Sequence, residues 1–132
     1  EKLQLLVPIG HRLEGADSVL MSDLSEEEFV LFREDFTLHD RIITECVKAG
    51  FQPKVVYESS QWDLISRMVA AGLGIALLPE TICRDMDRSR IAIVPLTEPA
   101  IPWQVGMIWR RDRYLSFAAR EWVDFARKLL EE

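Results

Sequence analysis

Strand-like apolar runs alternate with amphipathic, helix-like segments through the middle of the 132-residue chain. The run Phe29–Phe32 is continuously apolar, as expected of a strand that is covered on both faces. The segments that follow such runs place apolar residues three and four positions apart, which is the spacing of one helix face. Because this alternation builds parallel strands joined by helical crossovers, it predicts an α/β fold with a mainly parallel sheet.

Glycine and hydroxyl residues set the predicted limits of these helices. Gly50 and Gly72 each follow an apolar stripe and predict helix ends with a left-handed residue, and the segment from Gly72 to Gly74 is interpreted as a tight helix-to-strand turn. Thr37 and Ser60 are the predicted N-terminal caps. The remaining predicted elements are strands at 3–7, 29–32, 54–58, 74–78, 91–94 and 105–109, short helices at 22–26 and 80–87, loops at 9–22 and 95–102, and a last helix from residue 116.

The charge balance argues against nucleic-acid binding by these residues. The chain carries 16 basic and 22 acidic residues, a formal net charge of −6, and such a surface repels a polyanion. The densest basic cluster, Arg110, Arg111 and Arg113, includes Asp112 and is interpreted as a solvated turn. No apolar run approaches the length of a membrane span, and no secretory signal opens the chain, so no membrane partner is expected.

Few side chains indicate catalysis or metal binding. Cys46 and Cys83 lie far apart among apolar neighbours and are predicted to be buried thiols rather than a disulfide or a nucleophile. His11 and His39 form no metal-ligand spacing, and the GxSxG, P-loop and GxGxxG motifs are absent from the sequence. The acidic run Glu26–Glu28 is predicted to be a solvated face. We therefore expect no catalytic residue, no metal site and no cofactor.

Two predicted helix starts, at Thr37 and at Ser60, each follow directly on a predicted strand. In a parallel sheet both starts lie at the carboxyl edge, where open α/β sheets bind ligands. A helix N-terminus offers unpaired N–H groups and a partial positive charge, which favour an anion. The hydroxyl of Ser59 and the imidazole of His39 would add hydrogen bonds there. The alternative is that Thr37 and Ser60 only cap their own helices, and spacing alone does not decide between the two.

The segment from Glu58 to Pro79 resembles the effector-binding domain of LysR-type transcriptional regulators. Its run Val-Ala-Ala-Gly-Leu-Gly-Ile-Ala-Leu-Leu-Pro at 69–79 is similar to the V-x-A-G-L-G-I-x-L-L-P run of that family. Flanking pieces agree in order, although Arg12 stands where the family usually has proline. These pieces are residues 8–13, similar to P-x-x-H-P-L, residues 19–24, similar to V-x-L-x-D-L, and residues 46–53, similar to C-x-x-A-G-F-x-P.

The resemblance covers essentially the whole chain and implies a parallel-sheet, Rossmann-like lobe of a type 2 periplasmic-binding-protein fold. Residues 8–102 would form the regulatory lobe II of the effector-binding domain. Residues 1–7 and 103–132 would supply the crossing hinge strands and the C-terminal helix of lobe I. The rest of lobe I and an N-terminal winged helix-turn-helix would be missing, so DNA would be contacted only through that missing domain. The resemblance further implies a cytoplasmic homo-oligomer, a dimer or tetramer at full length.

The resemblance also implies a function and a site. The expected function is to bind a small, carboxylate-like anion between two lobes and thereby control DNA binding, without catalysis. With most of lobe I missing, effector affinity is expected to be poor. The apolar face of Trp122, Phe125 and Leu129 is expected to pair with a second copy or to pack back on the chain. The implied effector contacts are Phe36, Thr37, Leu38, His39, Ser59, Ser60 and Gln61.

Two other functions remain open at this point. A small lyase on the same two-lobed scaffold would need an acid or base in the cleft, and His39 is the candidate. An extracytoplasmic solute-binding protein would share the scaffold but not the regulatory partner. Phe36 with Trp62 would give the pocket an apolar wall, although a tryptophan in a helical stripe is more typical of a core.

Overall fold

The computed structural model describes residues 1–98, 101–104 and 116–131. Strands and helices alternate between residues 28 and 98, as the sequence predicts. The predicted strand at 105–109 and the basic cluster at 110–113 lie outside the described residues. The elements in chain order are β1 (Leu3–Pro8), β2 (Val19–Leu20), a short 3₁₀ helix (Met21–Leu24), β3 (Glu28–Phe32), α1 (Thr37–Lys48), β4 (Lys54–Ser59), α2 (Trp62–Ala70), β5 (Ala76–Pro79), α3 (Glu80–Cys83), β6 (Ile91–Glu98) and α4 (Phe117–Glu131).

Two sheets share one apolar core. β3 and β4 are parallel, with Phe32 opposite Ser59, and a parallel bridge joins Phe29 to Ile75 on the other side of β3. The second sheet has the strand order β2-β6-β1-β5, in which β1 is antiparallel to both neighbours and β2 is parallel to β6. The α/β class with parallel strands is therefore confirmed, while the sheet that contains β1 is mixed.

The predicted left-handed helix ends are confirmed at both glycines. Gly50 has φ +97° and Gly72 has φ +78°. At the end of α1 the N–H of Gly50 donates to the C=O of Val47 at 3.0 Å, and the N–H of Phe51 donates to the C=O of Cys46 at 3.1 Å. This pair of bonds is a Schellman motif, which satisfies carbonyl groups that the helix leaves unpaired.

Gly74 permits a close approach between two backbones. A Cβ atom at Gly74 would lie 2.9 Å from the carbonyl oxygen of Glu28 and 3.0 Å from Cγ2 of Val30. The neighbouring Ile75 donates its N–H to the C=O of Glu28 at 2.8 Å and accepts the N–H of Val30 at 2.8 Å. The predicted structural role of this glycine turn is confirmed, because the turn lets the backbone just before β5 pack directly against β3.

Several predicted boundaries are wrong. β6 continues through Pro95, which was predicted to open a loop. At Pro95 the strand pairs with β1 on one side, while β2 pairs with Leu96 and Glu98 and leaves the other side of Pro95 free. A proline is tolerated in a strand where one side is free. The predicted loop at 9–22 contains β2, too short for the sequence pattern to reveal. The strand predicted at 74–78 lies at Ala76–Pro79, and the short helices predicted at 22–26 and 80–87 lie at Met21–Leu24 and Glu80–Cys83.

The last helix, α4, buries a small residue and exposes large ones. Ala126 is buried, and Ala119 and Val123 lie partly buried on the same side. The predicted apolar face is exposed instead, with Trp122 63% and Phe125 65% accessible. Within the ranges that the structure describes, no helix is long and apolar enough to cross a membrane.

Candidate functional site

The starts of α1 and α2 lie at one edge of the β3–β4 sheet. The two strands are parallel neighbours, and their last residues, Phe32 and Ser59, are paired in register. The first residue of α1 is Thr37 and the first residue of α2 is Trp62. The chain thus leaves both strands in the same direction, and the two helix starts meet as the sequence predicts.

A cleft of about 290 Å³ lies at this edge. Its walls come from the end of β3, the starts of α1 and α2, the end of β5, α3 and the segment 101–104. All of the lining residues in the described part of the chain are uncharged, so the polarity of this lining comes from hydroxyl, indole N–H and backbone groups. The lining residues are Phe32, Phe36, Thr37, Leu38, Ser60, Trp62, Pro79, Ile82 and Trp103.

Four of the seven predicted effector contacts line this cleft, namely Phe36, Thr37, Leu38 and Ser60. The structure brings them together from two helix starts that are separated by a whole strand in sequence. The other three, His39, Ser59 and Gln61, do not belong to the cleft lining and have different local roles.

His39 joins the first turn of α1 to the end of β4. The residue is buried, with Nδ1 3.0 Å from Oδ1 of Asp40 and Nε2 3.3 Å from Oε1 of Glu58. Both ring nitrogens thus lie close to carboxylate oxygens outside the cleft. The geometry supports a role in holding α1 against β4 rather than direct contact with a ligand in the cleft.

Ser59 shapes the turn that precedes α2. Its side chain is buried, and its Oγ accepts the N–H of Gln61 at 3.1 Å. Its C=O accepts the N–H of Arg33 at 3.1 Å, which ties the end of β4 to the segment after β3. Gln61 itself is exposed at the N-cap position of α2. The two residues therefore position the start of α2.

The predicted side-chain caps of α1 and α2 are wrong. Phe36 and Gln61 occupy the two N-cap positions, and neither makes a side-chain cap hydrogen bond. Thr37 is already the first helical residue and Ser60 precedes the cap, whereas a capping oxygen must come from the N-cap residue itself. A side-chain cap of this kind is present at α4, where Ser116 Oγ accepts the backbone N–H of Ala119 at 3.1 Å. Thr37 and Ser60 therefore do not cap their own helices, and the alternative that they serve only as caps is wrong.

Aromatic side chains form one wall of the cleft. Phe36 is 37% exposed and stacks on Phe32, with ring centroids 5.2 Å apart. Trp62 is 42% exposed, so the interpretation of this residue as core is wrong. Trp62 lies on the same side of α2 as the buried Ile65 and Val69, but it is the first residue of the helix and lines the cleft there. The apolar wall at Phe36 and Trp62 that the sequence suggested is present.

The arginines on the chain segments beside the cleft are paired with carboxylates. Arg33 donates to both oxygens of Asp35, at 3.0 and 3.3 Å, and this hydrogen bonding lowers the pKa of Asp35. Arg41 donates to the buried carboxylate of Glu45 at 3.2 Å. The favourable potential for an anion in the cleft therefore comes from the helix starts rather than from a charged side chain.

The two cysteines are buried and unpaired, as predicted. Burial raises the pKa of Cys46 and of Cys83 to about 12. The Sγ of Cys83 donates to the C=O of Leu78 at 3.6 Å. Both thiols thus stay protonated and serve as small core residues.

An ion-pair cluster that the sequence did not indicate holds the loop after β1. Glu27 accepts from Arg12 Nε at 3.0 Å and lies 3.0 Å from Nε2 of His11, whose Nδ1 accepts the N–H of Leu13 at 3.1 Å. Glu27 is therefore not part of a purely solvated face. Arg12, which stands where the family usually has proline, holds the loop after β1 through its ion pair with Glu27.

The fold and the cleft together define an α/β domain with a concave site at the carboxyl edge of its parallel strands. The family model described as "LysR substrate binding domain" matches residues 1–131. The chain therefore belongs to the LysR substrate-binding domain family of transcriptional regulators.

Relatives and solved structures agree with this assignment. The uncharacterized HTH-type transcriptional regulator YwbI of Bacillus subtilis (strain 168) is 53% identical over 130 residues, which is 98% of this chain and 43% of the relative. The transcriptional dual regulator GltC of the same organism is 35% identical over 125 residues, which is 95% of this chain and 42% of the relative. The chain thus spans about two fifths of the length of these curated relatives.

Three solved structures share the fold of this chain. HinK, a LysR family transcriptional regulator from Pseudomonas aeruginosa, superposes with a TM-score of 0.84 at 24% identity, over 98% of this chain and 45% of that chain. The Synechocystis PCC6803 CcmR regulatory domain in complex with 2-PG gives 0.80 at 18% identity, over 97% and 62%. The effector binding domain of QuiR in complex with shikimate gives 0.77 at 18% identity, over 98% and 61%. These superpositions confirm the type 2 periplasmic-binding-protein-like fold.

Proposed function

We propose that the cleft between the starts of α1 and α2 takes up a small anionic effector, a carboxylate, and that its binding controls DNA attachment by a helix-turn-helix domain of the same regulator. The observation that carries the proposal is that one cleft is lined by both helix starts, from Phe36 to Leu38 and at Ser60 and Trp62. The protein would act in the cytoplasm as a sensor, as a homo-oligomer and without catalysis.

Backbone chemistry supports an anionic effector. The first N–H groups of any α-helix have no partner within the helix, and the helix dipole places a partial positive charge beside them. In the described part of the chain, neither α1 nor α2 has a side-chain cap that would occupy these groups. The hydroxyls of Thr37 and Ser60 line the same cleft and can donate to a carboxylate oxygen.

The position of the cleft supports a regulatory role. We assign residues 8–102 to lobe II of the effector-binding domain and residues 1–7 and 103–132 to the hinge strands and C-terminal helix of lobe I. Trp103, at the start of the second group, lines the cleft together with α1 and α2. A ligand that contacts both groups stabilises the arrangement in which they are close, and so shifts the population of regulator conformations. In two family structures, of CcmR and QuiR, the domain holds a small molecule.

The position of His39 argues against the lyase alternative, for which this residue was the candidate acid or base. His39 lies outside the cleft lining, and both of its ring nitrogens are engaged with carboxylates, so it is not placed to exchange a proton with a ligand there. The names of the relatives, which are HTH-type transcriptional regulators, favour regulation over extracytoplasmic solute binding.

The proposal is tested by calorimetric titration of the protein at its full natural length with acetate, succinate and benzoate, each compared with its neutral amide. We expect at least one carboxylate to bind more tightly than its amide. Thr37→Val and Ser60→Ala should each weaken that binding by about tenfold, because each removes a hydrogen bond to a charged group.

The matched control is Thr44→Val, since Thr44 is an exposed hydroxyl further along α1 and outside the cleft. This substitution should leave the dissociation constant unchanged. Equal binding of the acids and their amides, or equal losses in the Thr37 and Thr44 variants, would contradict the proposal.

A further inference from the structure

We propose that the effector of this cleft is a compact aromatic ring that carries a single carboxylate. This inference rests on the proposed function, because it names the ligand class of the same site. Three features of the described residues carry it: the aromatic wall, the absence of side-chain charge in the lining, and the volume.

The aromatic wall calls for an apolar, flat partner. Four of the nine lining residues are aromatic, from four different segments of the chain: Phe32, Phe36, Trp62 and Trp103. Phe36 and Trp62 are among the large apolar side chains that the fold leaves exposed, although both flank a concave surface. A planar ring that packs on such faces removes apolar surface from water on both partners and gains from ring stacking. A short aliphatic acid would leave most of this surface uncovered.

The described lining of the cleft favours a ligand with one carboxylate over a ligand with two. The lining residues that the structure describes carry no basic group to neutralise a second one. The nearby Arg33 and Arg41 are held by Asp35 and Glu45. Two helix starts supply favourable potential at one edge of the cleft, and a second carboxylate directed toward the aromatic wall would lose its hydration without compensation. A cationic ligand would find no acidic side chain among the same lining residues.

The cleft accommodates a single ring with its carboxylate. The cleft measures about 290 Å³, which is at the lower limit of small-molecule sites, roughly 300 Å³. The ligand's carboxylate would lie toward Thr37, Leu38 and Ser60 at the helix starts. Its ring would lie toward Phe36 and Trp62, so the site would recognise the two ends of the ligand by different chemistry.

The inference is tested by titrating the protein at its full natural length with benzoate, acetate, succinate and phthalate. We expect benzoate to bind at least about tenfold more tightly than acetate, since only benzoate covers the aromatic wall. Phthalate, which adds a second carboxylate to the same ring, should bind more weakly than benzoate.

Two variants separate the roles of the two ends. Trp62→Ala should weaken benzoate binding by much more than it weakens acetate binding, and so should remove most of the preference for benzoate. Leu64→Ala is the matched control, because Leu64 is similarly exposed on α2 but does not line the cleft, and it should leave both affinities unchanged.

The possible failures are distinguishable. If acetate or succinate binds at least as tightly as benzoate, and Thr37→Val weakens that binding, the ligand class is wrong while the proposed function stands. If Trp62→Ala and Leu64→Ala reduce benzoate binding equally, the aromatic wall is not the recognition surface and the inference is overturned. If none of the four acids binds, both proposals fall.

Discussion

Both cysteine thiols lie in the core, where burial raises the pKa of Cys46 and of Cys83 to about 12. At pH 8 a thiol with that pKa is a thiolate in about one molecule in ten thousand, and the thiolate is the reactive form. We therefore expect neither thiol to react with iodoacetamide at pH 8 within an hour in the folded protein. Labelling is measured by intact-protein mass spectrometry.

The control for this experiment is the same protein unfolded in guanidinium chloride, in which both thiols should be alkylated within minutes. Fast labelling of either cysteine in the folded protein would contradict its burial.

At the scale of single residues, the sequence located the candidate cleft but did not reveal what each side chain contacts. Thr37 and Ser60 were placed at the correct edge, yet a shift of one position decides whether a hydroxyl caps a helix, and sequence patterns do not resolve helix ends to one residue. Trp62 sits on the border of an apolar stripe, so its exposure depends on packing that no local pattern contains. His39 and Glu58 meet only because β4 brings them together.

At the scale of elements, the turn between α2 and β5 makes two different demands on its glycines. Gly72 has a positive φ and open space around it, whereas a Cβ on Gly74 would meet the backbone of Glu28 at 2.9 Å. Gly72→Asn should therefore be nearly neutral, since asparagine tolerates the left-handed region, and Gly72→Ala should cost about 1 kcal/mol in the free energy of unfolding. Gly74→Ala and Gly74→Asn should each cost roughly 1–3 kcal/mol.

Urea unfolding followed by circular dichroism measures these differences. The informative comparison is between alanine and asparagine at each position. Rescue by asparagine at position 74 would show that backbone conformation, not the contact with β3, requires the glycine there. Equal costs for alanine and asparagine at position 72 would refute the conformational explanation for that residue.

The alternation of strands and helices was predictable because each buried strand and each amphipathic stripe is a local pattern. The direction of β1 was not predictable in this way. Its sequence, Leu3–Pro8, gives no sign that it would lie between β5 and β6 and antiparallel to both, because that placement depends on contacts distant in sequence. β2 has two residues and gives no periodic signal at all.

At the scale of the whole molecule, the distribution of apolar surface indicates where the protein meets other surfaces. The cleft exposes aromatic groups in a concave setting that suits a small molecule. α4 exposes them on a convex helix face that suits a protein surface, with Trp122 and Phe125 both more than half accessible. Among the smaller residues of this helix, Ala126 is buried.

An exposed apolar helix face of this kind drives association in water. We therefore expect the 132-residue chain to self-associate at micromolar concentrations, with sedimentation coefficients that increase with concentration. The double variant Trp122→Glu with Phe125→Glu should shift the equilibrium to monomer, because it places like charges on the association surface. A variant with Leu64→Glu, which adds charge to an exposed position on α2, should associate as the original chain does. If the original chain sediments as a monomer at all concentrations, or if the Leu64 variant also becomes monomeric, the face on α4 is not the surface through which copies of this chain associate.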